Sequence, residues 1–149
     1  TRVMSLRDGT KKMSKSDASD ASRINLTDTA EEISNKIKKA KTDPHPLPDT
    51  IEELKDRPEA HNLMSIYSSL SDQTLEKALI EFSGKGFSYF KPRLIDLAIE
   101  TLSPISREMR SLLKYRNEID KILKNGEQKA KEIAEPVLKD VKNLVGFVN

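Results

Sequence analysis

Chemistry-bearing residues are concentrated in one short string, Lys12-Met13-Ser14-Lys15-Ser16, preceded by Lys11 and followed by Asp17. Two lysines three apart, interleaved with two hydroxyls, stand in a stretch with almost no apolar anchoring. Ammonium groups supply positive charge and rotatable donors, and hydroxyls and backbone N–H groups supply further hydrogen bonds, so such a loop can fold over a polyphosphate. The same string in isolation is equally compatible with a flexible basic loop or a protease-sensitive linker.

Other candidates are weaker. His45 stands between two prolines and reads as a loop residue; His61 reads as a surface or cap residue. Tyr67, Phe82, Phe87, Tyr89 and Phe90 fall at helical spacing, as core aromatics do. Arg107, Arg110, Lys114, Arg116, Lys121 and Lys124 form a Lys/Arg-dense stretch whose default reading is a solvated helix face. The absence of cysteine removes a disulfide framework, a thiolate zinc site and a cysteine nucleophile, and with two histidines no metal site is predicted.

These residues need a scaffold, and the composition says which kind. The chain of 149 residues is 36% hydrophobic and 34% charged, with five glycines, which favours helix. No apolar run is long enough to span a bilayer. Net charge is +2, unevenly spread. Residues 1–41 hold ten Lys/Arg against six Asp/Glu, residues 42–105 six against eleven, and residues 106–149 ten against seven. Two basic ends flanking an acidic middle are compatible with phosphate partners. The opening in mid-pattern at Thr1-Arg2-Val3-Met4 predicts a piece of something longer.

Along the chain, Thr1 to Leu6 is β-compatible, Arg7-Asp8-Gly9-Thr10 is turn chemistry, and Lys11 to Arg23 has the composition of a mobile loop. Asp28 and Glu31 form a capping-box-like start, with Ala30, Ile33, Ile37 and Ala40 predicting a helix from about Thr29 to Lys41. Three prolines exclude regular structure from Thr42 to Asp49. Apolar stripes predict helices over 60–70, 72–83 and 91–102. Ser103-Pro104 predicts the start of another helix running to an Asn125-Gly126 stop, and a last helix holds Pro136, which should kink or split it. The fold class is therefore mainly α. The expected division is 1–41, a Pro-rich linker over 42–59, and a helical domain over 60–149.

The string KMSKS is the signature loop of class I aminoacyl-tRNA synthetases, and its surroundings resemble the tryptophan–tRNA ligase family in particular. Arg2-Val3-Met4-Ser5-Leu6 upstream is similar to that family's approach to the loop. Ser22-Arg23-Ile24-Asn25-Leu26-Thr27-Asp28, Lys39-Ala40-Lys41-Thr42-Asp43, Asn62-Leu63-Met64-Ser65-Ile66-Tyr67, Gly84-Lys85-Gly86-Phe87, Ala130-Lys131-Glu132-Ile133-Ala134 and Val141-Lys142 follow in the family's order. His61, Pro92 and Pro136 depart from the pattern, none of them in the loop. The family's HIGH-type motif is not in this sequence.

The resemblance implies the edge of a Rossmann-like α/β nucleotide fold followed by a C-terminal helical bundle that binds tRNA. It implies ATP-dependent activation of tryptophan and its transfer to tRNA, in the cytoplasm, by a homodimer of the full-length protein, with no membrane partner. It places Lys12 and Lys15 on the developing pyrophosphate, Ser14 and Ser16 on phosphate or loop closure, and Val3 and Met13 towards the adenine. Without it, Val3 is an ordinary strand residue and Met13 a packing anchor. Mg²⁺ accompanies the ATP, although no carboxylate pair reads as its site. Arg107, Arg110, Lys114 and Arg116 become candidate tRNA contacts. The alternative is a standalone helical RNA-binding or interaction module without catalysis.

Overall fold

The computed structural model describes residues 2–147, so Thr1, Val148 and Asn149, at the ends of the expected first and last segments, lie outside it. Among the described residues the elements are α1 (Ala30–Lys38), α2 (Ile51–Leu54), α3 (Pro58–Leu70), α4 (Leu75–Phe82), α5 (Phe87–Lys114) and α6 (Arg116–Leu144), with one 3₁₀ turn at Asp20–Ser22. The β-compatible start contributes a single antiparallel bridge, Met4 to Lys12. The chain forms two compact units, Thr1–Arg107 and Glu108–Asn149.

The first unit holds the core. Leu6, Ile33, Ile37, Leu47, Leu54, Leu63, Met64, Leu79, Phe82, Phe90 and Leu94 are all buried. The aromatics meet edge to face, with ring centroids 4.8 Å apart for Tyr67–Phe82 and 4.9 Å for Phe82–Phe90. That geometry sets the positive edge of one ring against the negative face of the next. Tyr89, expected among them, is half-exposed at 49% and carries Lys85 and Arg93 over its ring instead.

Residues 42–59, expected as a linker, are built into this core. Leu47 and Leu54 are buried, and residue 47 exchanges backbone hydrogen bonds with the α4–α5 turn. Its N–H donates to Lys85 at 2.8 Å, and its carbonyl accepts from Gly84 at 2.9 Å. Arg57 closes the proline-rich stretch with a fork on Asp43 (3.0 and 2.6 Å) and a bond to the Pro46 carbonyl at 2.7 Å. Pro44, Pro46 and Pro48 keep that stretch out of helix but do not exclude packing, because Leu47, with its own N–H and carbonyl both paired, can bury its side chain.

Three helix boundaries differ from the sequence expectation. The cap of α1 is Thr29, whose side chain accepts from the Glu32 N–H while the Glu32 carboxylate accepts from the Thr29 N–H at 2.7 Å. Asp28 does not cap, because its carboxylate is buried on Lys36. Helix α5 runs unbroken through Pro92 and Pro104. Both prolines are exposed, so the carbonyl each leaves without a donor can bond water. Helix α6 likewise runs through Asn125-Gly126 and Pro136. An interior glycine costs about 1 kcal/mol, less than starting a second helix. The actual interruption falls at Tyr115, where φ is −110° and ψ 70° and where neither glycine nor proline stands. Among its described residues α6 buries none: Ile133, Val137 and Leu144 remain 75, 61 and 86% exposed.

Candidate functional site

The Lys12–Ser16 string is displayed between two anchored ends. On the entry side the bridge is made by Ser5 N–H to the Lys11 carbonyl at 2.8 Å and Met13 N–H to the Val3 carbonyl at 3.1 Å. The Asn62 side chain on α3 then pairs with the outer edge of residue 4. Its Oδ1 accepts from Met4 N–H and its Nδ2 donates to the Met4 carbonyl, both at 2.9 Å. A side-chain amide thus stands where a neighbouring strand would be.

The turn between the bridged residues is fixed by Asp8, which accepts from the Thr10 hydroxyl at 2.6 Å and the Thr10 N–H at 3.1 Å. Those two bonds hold its carboxyl down to about 2 from an ordinary 3.8. Gly9 is buried against α3, and a Cβ there would lie 2.4 Å from the Pro58 carbonyl carbon.

Within the string, Lys12 and Lys15 are exposed and Met13 is half-buried, packed on the core. Ser14 and Ser16 share a hydroxyl–hydroxyl bond of 2.9 Å, and Asp17 N–H turns back to the Ser14 carbonyl at 3.4 Å. The backbone therefore curls at Lys15-Ser16, with both ammonium groups and both hydroxyls at the surface. Val3 is 39% exposed beside them. The site residues expected at the loop, Val3 and Lys12 to Ser16, thus lie on one continuous hydrogen-bonded segment. A phosphate chain laid on it meets cations and hydroxyl donors together.

The exit side rests on a network that the sequence reading missed. Arg23 donates to the Asp17 carbonyl at 2.9 Å, to Asn25 Oδ1 at 3.2 Å, and pairs with Asp20 at 3.1 Å. Lys36 on α1 reaches Asp20 and Asp28, each at 2.6 Å. Burial alone would lower the pKa of the Lys36 ammonium, but the hydrogen bonds it donates to the two carboxylates outweigh this and hold it above its ordinary value. The signal was available: Ile33, Lys36, Ile37 and Ala40 occupy i, i+3, i+4, i+7, so Lys36 stands on the buried face and needs an anionic partner.

The candidate tRNA contacts lie elsewhere in the chain. Arg107, Arg110 and Lys114 are on the last turns of α5, and Arg116 opens α6. Arg107, Lys114 and Arg116 are exposed and Arg110 is half-buried. His45 and His61 are exposed as expected. Among the described residues, no three His, Cys, Asp or Glu side chains gather as a metal cluster would need. No helix there is long and apolar enough to cross a membrane.

The Lys12–Ser16 segment lies inside the match to the family described as "tRNA synthetases class I (W and Y)", which covers residues 1–103. The chain belongs to that family. Its relatives fall on the tryptophan side. A tryptophan–tRNA ligase of Caulobacter vibrioides is 57% identical over 146 residues, covering 98% of this chain and 42% of its own length. That of Agrobacterium fabrum is 56% identical over 147 residues, covering 99% and 42%. Among solved structures, tryptophanyl-tRNA synthetase from Mycoplasma pneumoniae superposes with a TM-score of 0.74 at 26% identity, covering 99% of this chain and 46% of that one. The chain thus spans less than half the length of the relatives it matches.

Proposed function

We propose that this chain is the part of a tryptophan–tRNA ligase that carries the phosphate-binding loop and the helical tRNA-binding region. The observation that supports this reading most is the display of Lys12, Ser14, Lys15 and Ser16 on a segment anchored at both ends. A module that only binds RNA has no need of that arrangement, which favours the enzyme over the standalone reading. Residues 1–41 would close the edge of a Rossmann-like nucleotide fold, and residues 60–149 would supply the helical tRNA-binding region, the two sharing a core with 42–59 rather than hanging on a free linker. The working protein would be a cytoplasmic homodimer.

In the proposed reaction a tryptophan carboxylate oxygen attacks the α-phosphorus of ATP. The α–β bridging bond breaks and pyrophosphate leaves with the electron pair. A terminal ribose hydroxyl of tRNA then attacks the activated carbonyl, loses its proton, and displaces AMP. Charge builds on the departing pyrophosphate, so cations held there lower the barrier without covalent participation. Lys12 and Lys15 supply those cations, with Lys15, at the curl, the more selective for the transition state. Ser14 and Ser16 exchange their mutual hydrogen bond for phosphate oxygens. Val3, whose carbonyl is held by the Met13 N–H, would stand at the adenine side, with Met13 packed on the core. Mg²⁺ prefers polyphosphate oxygens and water, and the described residues offer it no carboxylate cluster, so it would arrive on the nucleotide.

Pyrophosphate exchange by the whole ligase tests this reading. Lys15→Ala is expected to slow exchange roughly 30- to 1,000-fold, the loss of one charge-assisted contact of about 2–4 kcal/mol, with the KM for tryptophan nearly unchanged. Unchanged exchange would remove the assigned role. The chain of residues 1–149 by itself is expected to show no exchange.

A further inference from the structure

We propose that Arg23 is a positioning residue for Lys15, fixing where the Lys12–Ser16 segment ends by holding the Asp17 carbonyl. This rests on the reading that Lys15 meets the polyphosphate.

The geometry has three steps. First, Asp17 follows Ser16 directly, so its carbonyl marks the exit of the curl. Arg23 holds that carbonyl at 2.9 Å and the Ser19 carbonyl at 3.4 Å through the same nitrogen. Second, the guanidinium is fixed from its other side. Its Nε donates to Asn25 Oδ1 at 3.2 Å, and its second terminal nitrogen pairs with Asp20 at 3.1 Å. A planar fork used on both edges has little rotational freedom left, which a lysine could not reproduce. Third, the acceptors are tied to the core. Asn25 donates to Asp20 at 3.0 Å and to Asp28 at 3.2 Å, and Lys36 joins Asp20 and Asp28 from the buried face of α1. The path from Ile33 and Ile37 to Lys15 thus runs through Lys36, its two carboxylates, Asn25 and Arg23.

The consequence is a division of labour within the loop. Entry is fixed by the bridge to residues 3–5, exit by Arg23, and only residues 14–16 between them are free to rearrange around phosphate. Without Arg23 the exit end gains freedom, and Lys15 must be ordered at the moment of reaction. A misplacement of about 1 Å at a reacting site costs on the order of 100-fold.

A double-mutant cycle in the whole ligase tests this, with pyrophosphate exchange measured against ATP and tryptophan for Lys15→Ala, Arg23→Ala, Arg23→Lys and the Arg23→Ala/Lys15→Ala pair. Arg23→Ala is expected to lower kcat on the order of 10- to 100-fold with the KM for tryptophan within about twofold. Arg23→Lys, which keeps the charge and is the variant to read should Arg23→Ala fail to fold, is expected to recover only part of the rate. In the Lys15→Ala background, Arg23→Ala is expected to cost less than threefold more, because the group it positions is gone. A full multiplicative loss in the pair, or an Arg23→Ala or Arg23→Lys enzyme as fast as wild type while Lys15→Ala is slow, overturns the positioning role alone. Wild-type exchange by Lys15→Ala would instead overturn the functional reading beneath it, and the proposal with it.

Discussion

Asn62, on the second turn of α3, pairs with the backbone of Met4 through both ends of its amide, accepting from the N–H and donating to the carbonyl at 2.9 Å each. Fifty-eight residues of sequence separate them. The amide is 3% exposed, and its Nδ2 also reaches the Ser5 carbonyl at 3.3 Å. No other side chain than Asn or Gln offers an acceptor and a donor side by side. Asn62→Ala leaves the Met4 edge without its partner and should cost about 1–3 kcal/mol. Asn62→Asp should cost more, because a carboxylate cannot donate to the Met4 carbonyl. Urea unfolding followed by circular dichroism measures both, and amide exchange at Met4 should quicken in each variant. Equal stability of the aspartate and wild-type chains would contradict the assigned donor.

Gly9 makes a second prediction about the same hairpin. A methyl group there would meet the backbone of Pro58 and Glu59 at 2.4 to 2.5 Å, well inside contact distance. Backbone at a helix start cannot swing aside as a side chain can. Gly9→Ala should therefore cost about 1–3 kcal/mol or shift the turn off α3. Gly126→Ala gives the contrast: it meets open space in the interior of α6, and should stabilise by roughly 0.5–1 kcal/mol. Thermal unfolding of the two variants should move in opposite directions.

Several of these features can be read from sequence, and the reason others cannot is physical. Leu63, Met64, Tyr67, Leu79, Phe82 and Leu94 declare the core because a helix stripe follows from spacing alone. Lys12 to Ser16 is equally plain, since its chemistry is local. Of the network under Lys15, spacing declares only that Lys36 is on the buried face; its partners are not legible, because Asp20, Asp28 and Lys36 become one group only when the segment before α1 turns back on it. Ser103-Pro104 and Asn125-Gly126 mislead for another reason. Their penalties are about 1–3 kcal/mol each, and a long helix can absorb them. Conversely, Tyr115 interrupts the helices with no local breaker at all.

The turn before the loop carries a pH signature. Asp8 titrates at about 2 because the Thr10 hydroxyl and N–H bind its ionised form, with Lys11 beside it at 3.3 Å. The unfolded chain would hold that proton up to an ordinary 3.8. Between those values the unfolded state binds more protons, so the stabilisation is complete above about pH 4 and disappears as pH falls towards 2. Asp43 acts in the same sense: burial pushes its carboxyl up, but Arg57 and the His45 N–H more than reverse this and leave it below its ordinary value. An NMR titration of the Asp8 carboxyl carbon should show a midpoint well under 3.8. Thr10→Val, which deletes the hydroxyl and keeps the N–H, should move that midpoint upward. A midpoint unaffected by Thr10→Val would mean the hydroxyl does not hold the anion.

The basic stretch from Arg107 to Arg116 makes the last prediction, which rests on the proposed tRNA-binding role of the helical region. Arg107, Arg110 and Lys114 recur at i, i+3 and i+7 on α5, so they share one side of the helix, and Arg116 follows just past its end. Cations on nucleic-acid backbone bind largely by releasing condensed counterions, and each phosphate contact adds about 0.7–0.9 to the slope of log K against log salt. If all four contact phosphate, replacing them together by glutamine should flatten that slope by about 3. The same substitutions leave the Lys12–Ser16 loop untouched, so ATP-dependent exchange by the whole ligase should stay within about twofold, separating tRNA docking from activation. The measurement is a salt titration of tRNA binding by the chain and by the fourfold variant, read beside exchange by the whole ligase. A slope unchanged in the variant would assign the phosphates to other lysines. A slope near zero in the unsubstituted chain would mean that this region does not bind tRNA by charge.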